Sequence, residues 1–288
     1  MEALPEDLVH KCLLGVSYKY HANLKAVCRR WEAMVSNPNF YAHRKISGTS
    51  EELICLIRID WSSVAYTVTL YDPQNGTRQS LPPIDEPQFR GIPIWCQCVA
   101  VNQKLVLMGG LHPPVRTGLL KSVYIYDFVS ARWSRGADMP TPRIFFACSV
   151  CSSSGVIYVA GGNDENNRPL ASAEFYNVEE DRWENLPSMA QPHGYGCQAV
   201  LFQGKFMVVW GHEFDISAEV FDPTAGTWRR CEDMWSLGER PMERGSVIAT
   251  CSGDLYVFLN RDIMKYDVHN NIWTAVANIQ FPTFLVFY

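Results

Sequence analysis

A mainly β chain of repeated four-stranded units, preceded by a short helical segment, is predicted by three observations. The first is the stretch Phe145 to Pro192, in which short apolar runs alternate with turn residues. Phe145–Cys151 ends at Ser152–Gly155, Val156–Ala160 ends at Gly161-Gly162, Ala171–Tyr176 follows a polar loop, and a last short run carries Trp183. Strands of about five residues separated by Gly, Asn and Asp are the pattern of an antiparallel meander. The second is recurrence: Tyr126 and Trp133, Tyr176 and Trp183, Phe221 and Trp228, and Tyr266 and Trp273 share one spacing, and successive Trp residues are 50, 45 and 45 positions apart. The third is the change of period near Gly48, since residues 4 to 46 have apolar positions at helical spacing and the rest do not. A period of 45 to 50 residues with four strands per unit points to a β-propeller of about five blades. One blade cannot bury both faces of its sheet, so the units must stack.

In chain order, Leu4-Pro5-Glu6-Asp7-Leu8 opens a first helix, with Pro suited to a first turn and two acids complementing the helix dipole. Leu24, Val27, Cys28, Trp31, Met34 and Val35 then predict one amphipathic helix, and Asn37-Pro38 restarts the chain as cap and first residue of a third. Three helices this short cannot bury all their apolar side chains among themselves. They must pack on the β region or dock onto another protein. Leu53–Ile59, Thr67–Tyr71 and Thr77–Leu81 read as a blade lacking its innermost strand, and Pro82–Pro93 as a proline-rich link. Blades follow at Cys96–Trp133, Phe145–Pro192, Cys197–Trp228 and Val247–Trp273. The apolar run Phe281–Tyr288 is expected to supply the missing inner strand of the first blade and close the ring, removing exposed edges. The boundaries expected are 1–47 for the helical unit and 48–288 for the propeller, with repeats at roughly 48–88, 89–141, 142–191, 192–240 and 241–288.

Composition limits the function classes. The chain has 288 residues, 47% of them hydrophobic, and a net charge of −5, with no basic run longer than Arg29-Arg30, which argues against nucleic acid. Residues 1–47 carry seven Lys or Arg against four Asp or Glu, leaving 18 against 26, a charge of −8, for the remainder. No apolar run approaches the roughly 20 residues needed to span a bilayer, and the acidic opening has no secretory apolar core. The ten cysteines are therefore expected to be reduced, in an intracellular protein of the cytoplasm, the nucleus or both. Cys148 and Cys151 form a C-x-x-C, and Cys96 and Cys98 a C-x-C, with no recurring Cys or His partner, so neither metal nor other cofactor is expected. No nucleophile–base pair or phosphate loop stands out, and the seven His are scattered, so no catalytic residue is expected.

One set of residues repeats in register. Arg90, Arg143, His193 and Arg244 each precede an innermost strand and follow Pro87, Pro142, Pro192 and Pro241. Two readings stand: the cations converge on one mouth of the propeller to hold acidic or polar groups of a partner, or each caps its own loop. Trp95, Phe146 and Tyr195 nearby would supply apolar anchors or core.

Gly-Gly followed by Tyr-Asp and a Trp six residues beyond the Asp resembles the kelch repeat; the nine Trp include no Trp-Asp dipeptide, which disfavours the WD type. The pattern departs at Trp210-Gly211, at Leu259-Asn260, and at Arg78, which stands where Trp is expected after Tyr71-Asp72. Leu-Pro-x-Asp-Leu, Cys-Leu-Leu, Val-Cys-Arg-Arg-Trp and Asn-Pro-x-Phe-Tyr in this order resemble an F-box. Together they resemble the plant F-box/kelch proteins, which serve as substrate receptors of SCF-type ubiquitin ligases. The resemblance implies that Leu4, Pro5, Leu8, Leu14, Leu24, Val27 and Trp31 face a Skp-type adaptor joined to a cullin. It also implies that the propeller holds a target protein for ubiquitination and degradation, such as an enzyme of phenylpropanoid or flavonoid synthesis. The chain itself would do no bond chemistry. A kelch scaffold acting outside any ligase, on cytoskeletal or signalling partners, is the alternative.

Overall fold

The computed structural model describes residues 4–60, 65–86, 89–112, 118–212, 215–231, 246–259 and 261–278. It divides into two compact units. The first comprises Met1–Ile92, Gln103–Leu105 and Ile125–Ser134, and the second Pro93–Asn102, Val106–Tyr124 and Arg135–Tyr288.

The first unit begins with four α-helices rather than three: α1 (Glu6–Leu14), α2 (His21–Val27), α3 (Arg29–Ser36) and α4 (Pro38–Ile46), with a 3-10 turn at Tyr18–Tyr20. The single helix predicted across Leu24 to Val35 is broken at Cys28, whose φ of −164° and ψ of 159° are fully extended. Apolar spacing carries through the break, so periodicity alone does not reveal it. Asn37 caps α4 as predicted, its side chain accepting from the Asn39 N–H at 2.9 Å. Val9, Leu13, Val35 and Phe40 form the helical core, with Leu14, Leu24, Trp31, Met34 and Tyr41 packed against it. Arg44 is buried beneath this cluster and donates to the carbonyls of Leu14 (2.7 Å) and Thr49 (2.6 Å) and to Glu51 (2.6 Å). Burial of the hydroxyl near acidic residues pushes Tyr18 up to about 12, and Tyr18 donates its backbone N–H to Glu51 at 3.0 Å.

The helices also reach the adjoining β structure of the same unit. Lys19 lies 3.7 Å from Asp72, Tyr18 donates to Gln79 at 3.4 Å, and Lys25 donates to the Val129 carbonyl at 2.5 Å. That structure is an antiparallel sheet of β1 (Ile54–Asp60), β2 (Ala65–Asp72) and β3 (Thr77–Ser80), three strands as predicted. The proline-rich link contains a short hairpin that the sequence did not suggest, β4 (Ile84–Glu86) with β5 (Phe89–Gly91), because three-residue strands are too short to show alternation.

Four four-stranded meanders follow: β6 (Gln97–Val101), β7 (Lys104–Met108), β8 (Val123–Asp127) and β9 (Arg132–Gly136); β10 (Ala147–Cys151), β11 (Val156–Ala160), β12 (Ala173–Asn177) and β13 (Arg182–Leu186); β14 (Gln198–Phe202), β15 (Lys205–His212), β16 (Asp215–Asp222) and β17 (Thr227–Cys231); β18 (Val247–Cys251), β19 (Asp254–Leu259), β20 (Asp262–Asp267) and β21 (Ile272–Asn278). With the first sheet they are the five blades of a β-propeller. In the second unit the first strands of successive sheets pack on one another. Ala147, Ala160 and Ala173 meet Phe206, Val208 and Phe221 of the next sheet, and Val209, Ala218 and Val220 meet Leu255, Val257 and Met264 of the one after. Each large apolar side chain buried this way contributes roughly 1.5–3 kcal/mol. The predicted closing strand Phe281–Tyr288 lies outside the described residues.

The repeated residues explain the repeat. The aromatic pairs are direct cross-strand partners, Tyr176 opposite Trp183, Phe221 opposite Trp228 and Tyr266 opposite Trp273, with ring centroids 4.9, 5.3 and 5.2 Å apart. In the first sheet Arg78 sits opposite Tyr71 with its guanidinium carbon 5.7 Å from the ring centroid, a cation–π contact in place of the ring pair. Trp133, Trp183 and Trp228 donate their indole N–H to the carbonyls of Pro82 (2.7 Å), Ala137 (2.8 Å) and Pro187 (2.7 Å), in each case on the segment leaving the preceding sheet. The following acid or amide makes the turn: Asp72, Asp127, Asn177, Asp222 and Asp267 each accept from the backbone N–H groups two and three residues ahead. Where Gly-Gly is present, the second strand stops at Met108 or Ala160. Where the first Gly is lost, at Trp210-Gly211, β15 runs on to His212 and pairs with β16 along its extra length.

Candidate functional site

Two surfaces carry the residues the sequence singles out. On the helical unit, Leu4 (62% exposed), Pro5, Leu8 (43%) and Val27 (60%) present apolar side chains to solvent. The α1 periodicity accounts for this, because Val9 and Leu13 take the inward face and Leu8 the outward one. Leu14, Leu24 and Trp31 instead pack on the unit's own core, so the seven predicted adaptor residues divide into an outward set of four and a supporting set of three.

The cation set divides differently. Arg143 is fully buried, and its guanidinium donates to Glu174 (2.8 Å), to the carbonyls of Gly161 (2.8 Å) and Ser172 (3.1 Å), and to the Ser172 hydroxyl (3.1 Å). Gly161, Ser172 and Glu174 all lie in its own blade. Glu174 also accepts from the Thr141 hydroxyl at 2.6 Å. His193 is likewise buried, stacked on Trp210 with centroids 3.3 Å apart, and its Nε2 lies 3.5 Å from Glu219. Burial holds its imidazole below the ordinary value, partly opposed by Glu219, so it is neutral. Glu219 is further held by the N–H groups of Ala190 (2.7 Å) and Gln191 (3.3 Å). A desolvated cation already satisfied by carbonyls and a carboxylate has no donor left for a partner. Arg143 is therefore a loop cap and His193 a neutral ring buried against Trp210, which corrects the expectation that they face a target. Arg90 lies in β5, with its side chain outside the described part, and Arg244 is outside the described residues altogether.

Among the predicted apolar anchors, Phe146 is fully buried and belongs to the core, correcting its assignment as an anchor. Trp95 is part-exposed, and Tyr195 is 66% exposed. Phe145, absent from the predicted set, lies between them: ring centroids are 5.2 Å apart for Trp95–Phe145 and 5.0 Å for Phe145–Tyr195. Glu174 and Glu219 were also missed, although each stands two residues before the repeat aromatic in an otherwise apolar strand, where a buried charge demands a partner.

All ten cysteines are thiols rather than half-cystines. Desolvation pushes the Cys148 thiol up to about 12, and its sulfur lies 3.7 Å from Gln97 of the neighbouring sheet, whereas the Cys151 sulfur meets Ser153 in the turn that follows. Among the described residues no group of three or more His, Cys, Asp or Glu side chains could hold a metal, and no helix is long and apolar enough to cross a membrane.

Comparison with known proteins agrees with this architecture. The profile described as F-box domain matches residues 1–43, and that described as Kelch motif matches 96–140 and 145–190. An F-box/kelch-repeat protein of Arabidopsis thaliana is 34% identical over 296 residues, covering 96% of this chain and 81% of its own length. A second from the same plant is 33% identical over 306 residues, covering 99% and 83%. A solved structure titled "Structure of YjhT" superposes with a TM-score of 0.57 over 79% of this chain and 83% of its own, at 12% identity, a likeness of fold alone. With its F-box helices, its repeated Tyr–Trp blades and this similarity along nearly its whole length, the chain belongs to the F-box/kelch-repeat family.

Proposed function

We propose that the chain is a substrate receptor of an SCF-type ubiquitin ligase. The F-box docks on a Skp-type adaptor, and through it a cullin, by Leu4, Pro5, Leu8 and Val27, while Leu14, Leu24 and Trp31 hold that face in shape. The propeller binds a target protein, and a separate conjugating enzyme modifies the target's lysines. Catalysis is then proximity supplied by a scaffold. The observation that carries this reading is the outward apolar face: Leu4, Leu8 and Val27 stay in water although the unit has a core that could have taken them. Resemblance to plant members of the family puts forward an enzyme of phenylpropanoid or flavonoid synthesis as the target, and the cytoplasm or nucleus as the place of action.

Leu8→Asp with Val27→Asp tests the docking. Both side chains are exposed, so the fold should keep its melting temperature while recovery of adaptor and cullin in affinity purification falls to background. Undiminished recovery would overturn the ligase reading and favour a kelch scaffold.

A further inference from the structure

Trp95, Phe145 and Tyr195 form a continuous aromatic row that the fold assembles from three blades. Trp95 and Phe145 stand two residues ahead of β6 and β10, and Tyr195 three ahead of β14. Because those first strands pack side by side, the rings are brought into contact. Interplanar angles of 43° and 79° mean that the rings do not stack face on face.

Core packing does not account for the row. Cys96 and Phe146, the residues after Trp95 and Phe145, and Cys197, two after Tyr195, are buried and do the packing. Trp95 and Phe145 moreover have φ of 57° and 55°, the left-handed region that disfavours bulky side chains. In the fourth blade that position is Gly196, at φ 89°, and Tyr195 beside it continues the row. Strained aromatic residues kept part-exposed where glycine would be easier are a mark of a binding surface.

We propose that the Trp95–Phe145–Tyr195 row seats a basic segment of the target, with Lys or Arg side chains laid on the ring faces. This rests on the reading of the propeller as the target-holding part. Ring faces carry negative quadrupole charge and attract cations, Arg above all. Residues 48–288 have 18 Lys and Arg against 26 Asp and Glu, so the propeller as a whole attracts the same partner. The Arg143 guanidinium, paired with Glu174, and the neutral His193 imidazole, 3.5 Å from Glu219, lie nearest the row in sequence and are both withdrawn from solvent. The loop bonded to the Tyr195 segment, through Gly162 N–H to the His193 carbonyl at 2.7 Å and the Leu170–His193 bridge, carries Asp164 and Glu165 against one Arg168.

The test is fluorescence anisotropy of the full chain with short labelled peptides in which glycine alternates with arginine, with glutamate or with proline. The arginine peptide should bind best, and Tyr195→Ala should weaken it about tenfold without moving the melting temperature. Tyr195→Leu, which keeps apolar bulk but has no ring, should weaken it nearly as much. Tighter binding of the glutamate or proline peptide, or wild-type affinity in Tyr195→Leu, would overturn the proposal. Adaptor recovery from the same preparations reports separately on the ligase reading: its absence with arginine-peptide binding intact would remove that reading alone.

Discussion

The Arg143 guanidinium meets the Glu174 carboxylate at 2.8 Å with both side chains withdrawn from solvent. The cation comes from the entry to its blade and the carboxylate from the third strand, and the same guanidinium holds the Gly161 carbonyl at 2.8 Å. The pair therefore ties the blade entry to the Gly-Gly turn.

Removing one partner strands the other charge in the interior. Arg143→Ala should cost about 3–5 kcal/mol. Arg143→Met with Glu174→Leu, which removes both charges and keeps bulk, should cost much less. Denaturant titration of the two variants measures the difference. Equal losses would mean that the carbonyl contacts, not the ion pair, hold the entry.

The indole hydrogen bonds give a second expectation. Trp183→Phe retains a ring opposite Tyr176 but loses the N–H that meets the Ala137 carbonyl at 2.8 Å. A single such bond is worth about 1 kcal/mol net. Trp228→Phe should do the same through Pro187, and the two losses should add, since the bonds share no partner. Denaturation of both single variants and the double variant checks this.

Acid should destabilise the chain through its buried histidines. His21 and His193 are both held below 6.5, first by burial, with Arg44 adding to it at His21 and Glu219 opposing it at His193. An imidazole that resists protonation when folded takes its proton preferentially in the unfolded chain. Stability should therefore be level above about pH 6.5 and fall as the pH drops toward the folded values. His193→Phe, which keeps a ring against Trp210, should make the acid slope shallower. An unchanged slope would assign it to other groups.

Much of the fold was legible because the repeat residues do the same work in each blade. A Tyr–Trp spacing is a cross-strand pair, and an Asp after the aromatic is a turn whose side chain takes two N–H groups. The break at Cys28 was not legible, because both flanking helices present apolar residues at one continuous spacing. The fate of Arg143 turned on a carboxylate 31 residues away, and sequence register alone cannot separate a cation facing a channel from one turned back on its own blade. Phe145 was hidden because it opens the apolar run Phe145–Cys151, which reads as one strand; the strand begins at Ala147, and the left-handed backbone that sets Phe145 apart is visible only in three dimensions.

Gly162, in a Gly-Gly turn, should tolerate substitution far worse than Gly226 in a hairpin turn. Its φ of +89° alone makes a side chain costly, by roughly 1–2 kcal/mol. A Cβ there would also meet the Ile144 carbonyl oxygen at 2.6 Å and the Phe146 Cβ at 2.7 Å. Neither can withdraw: Ile144 bonds Asn163 in both directions, at 2.8 and 3.2 Å, and Phe146 is fully buried. Overpacking of this kind adds about 1–3 kcal/mol, so Gly162→Ala should lose about 3 kcal/mol or more. Gly226 is the control, since its φ of +66° carries a similar backbone cost but nothing lies within 4 Å of its Cβ position. Gly226→Ala should lose only the backbone term of about 1 kcal/mol. Denaturation midpoints of the two variants decide the matter. Similar losses at both sites would mean that the Gly-Gly turn can open to admit a methyl group, and that close approach of the blade entry is not what fixes this glycine.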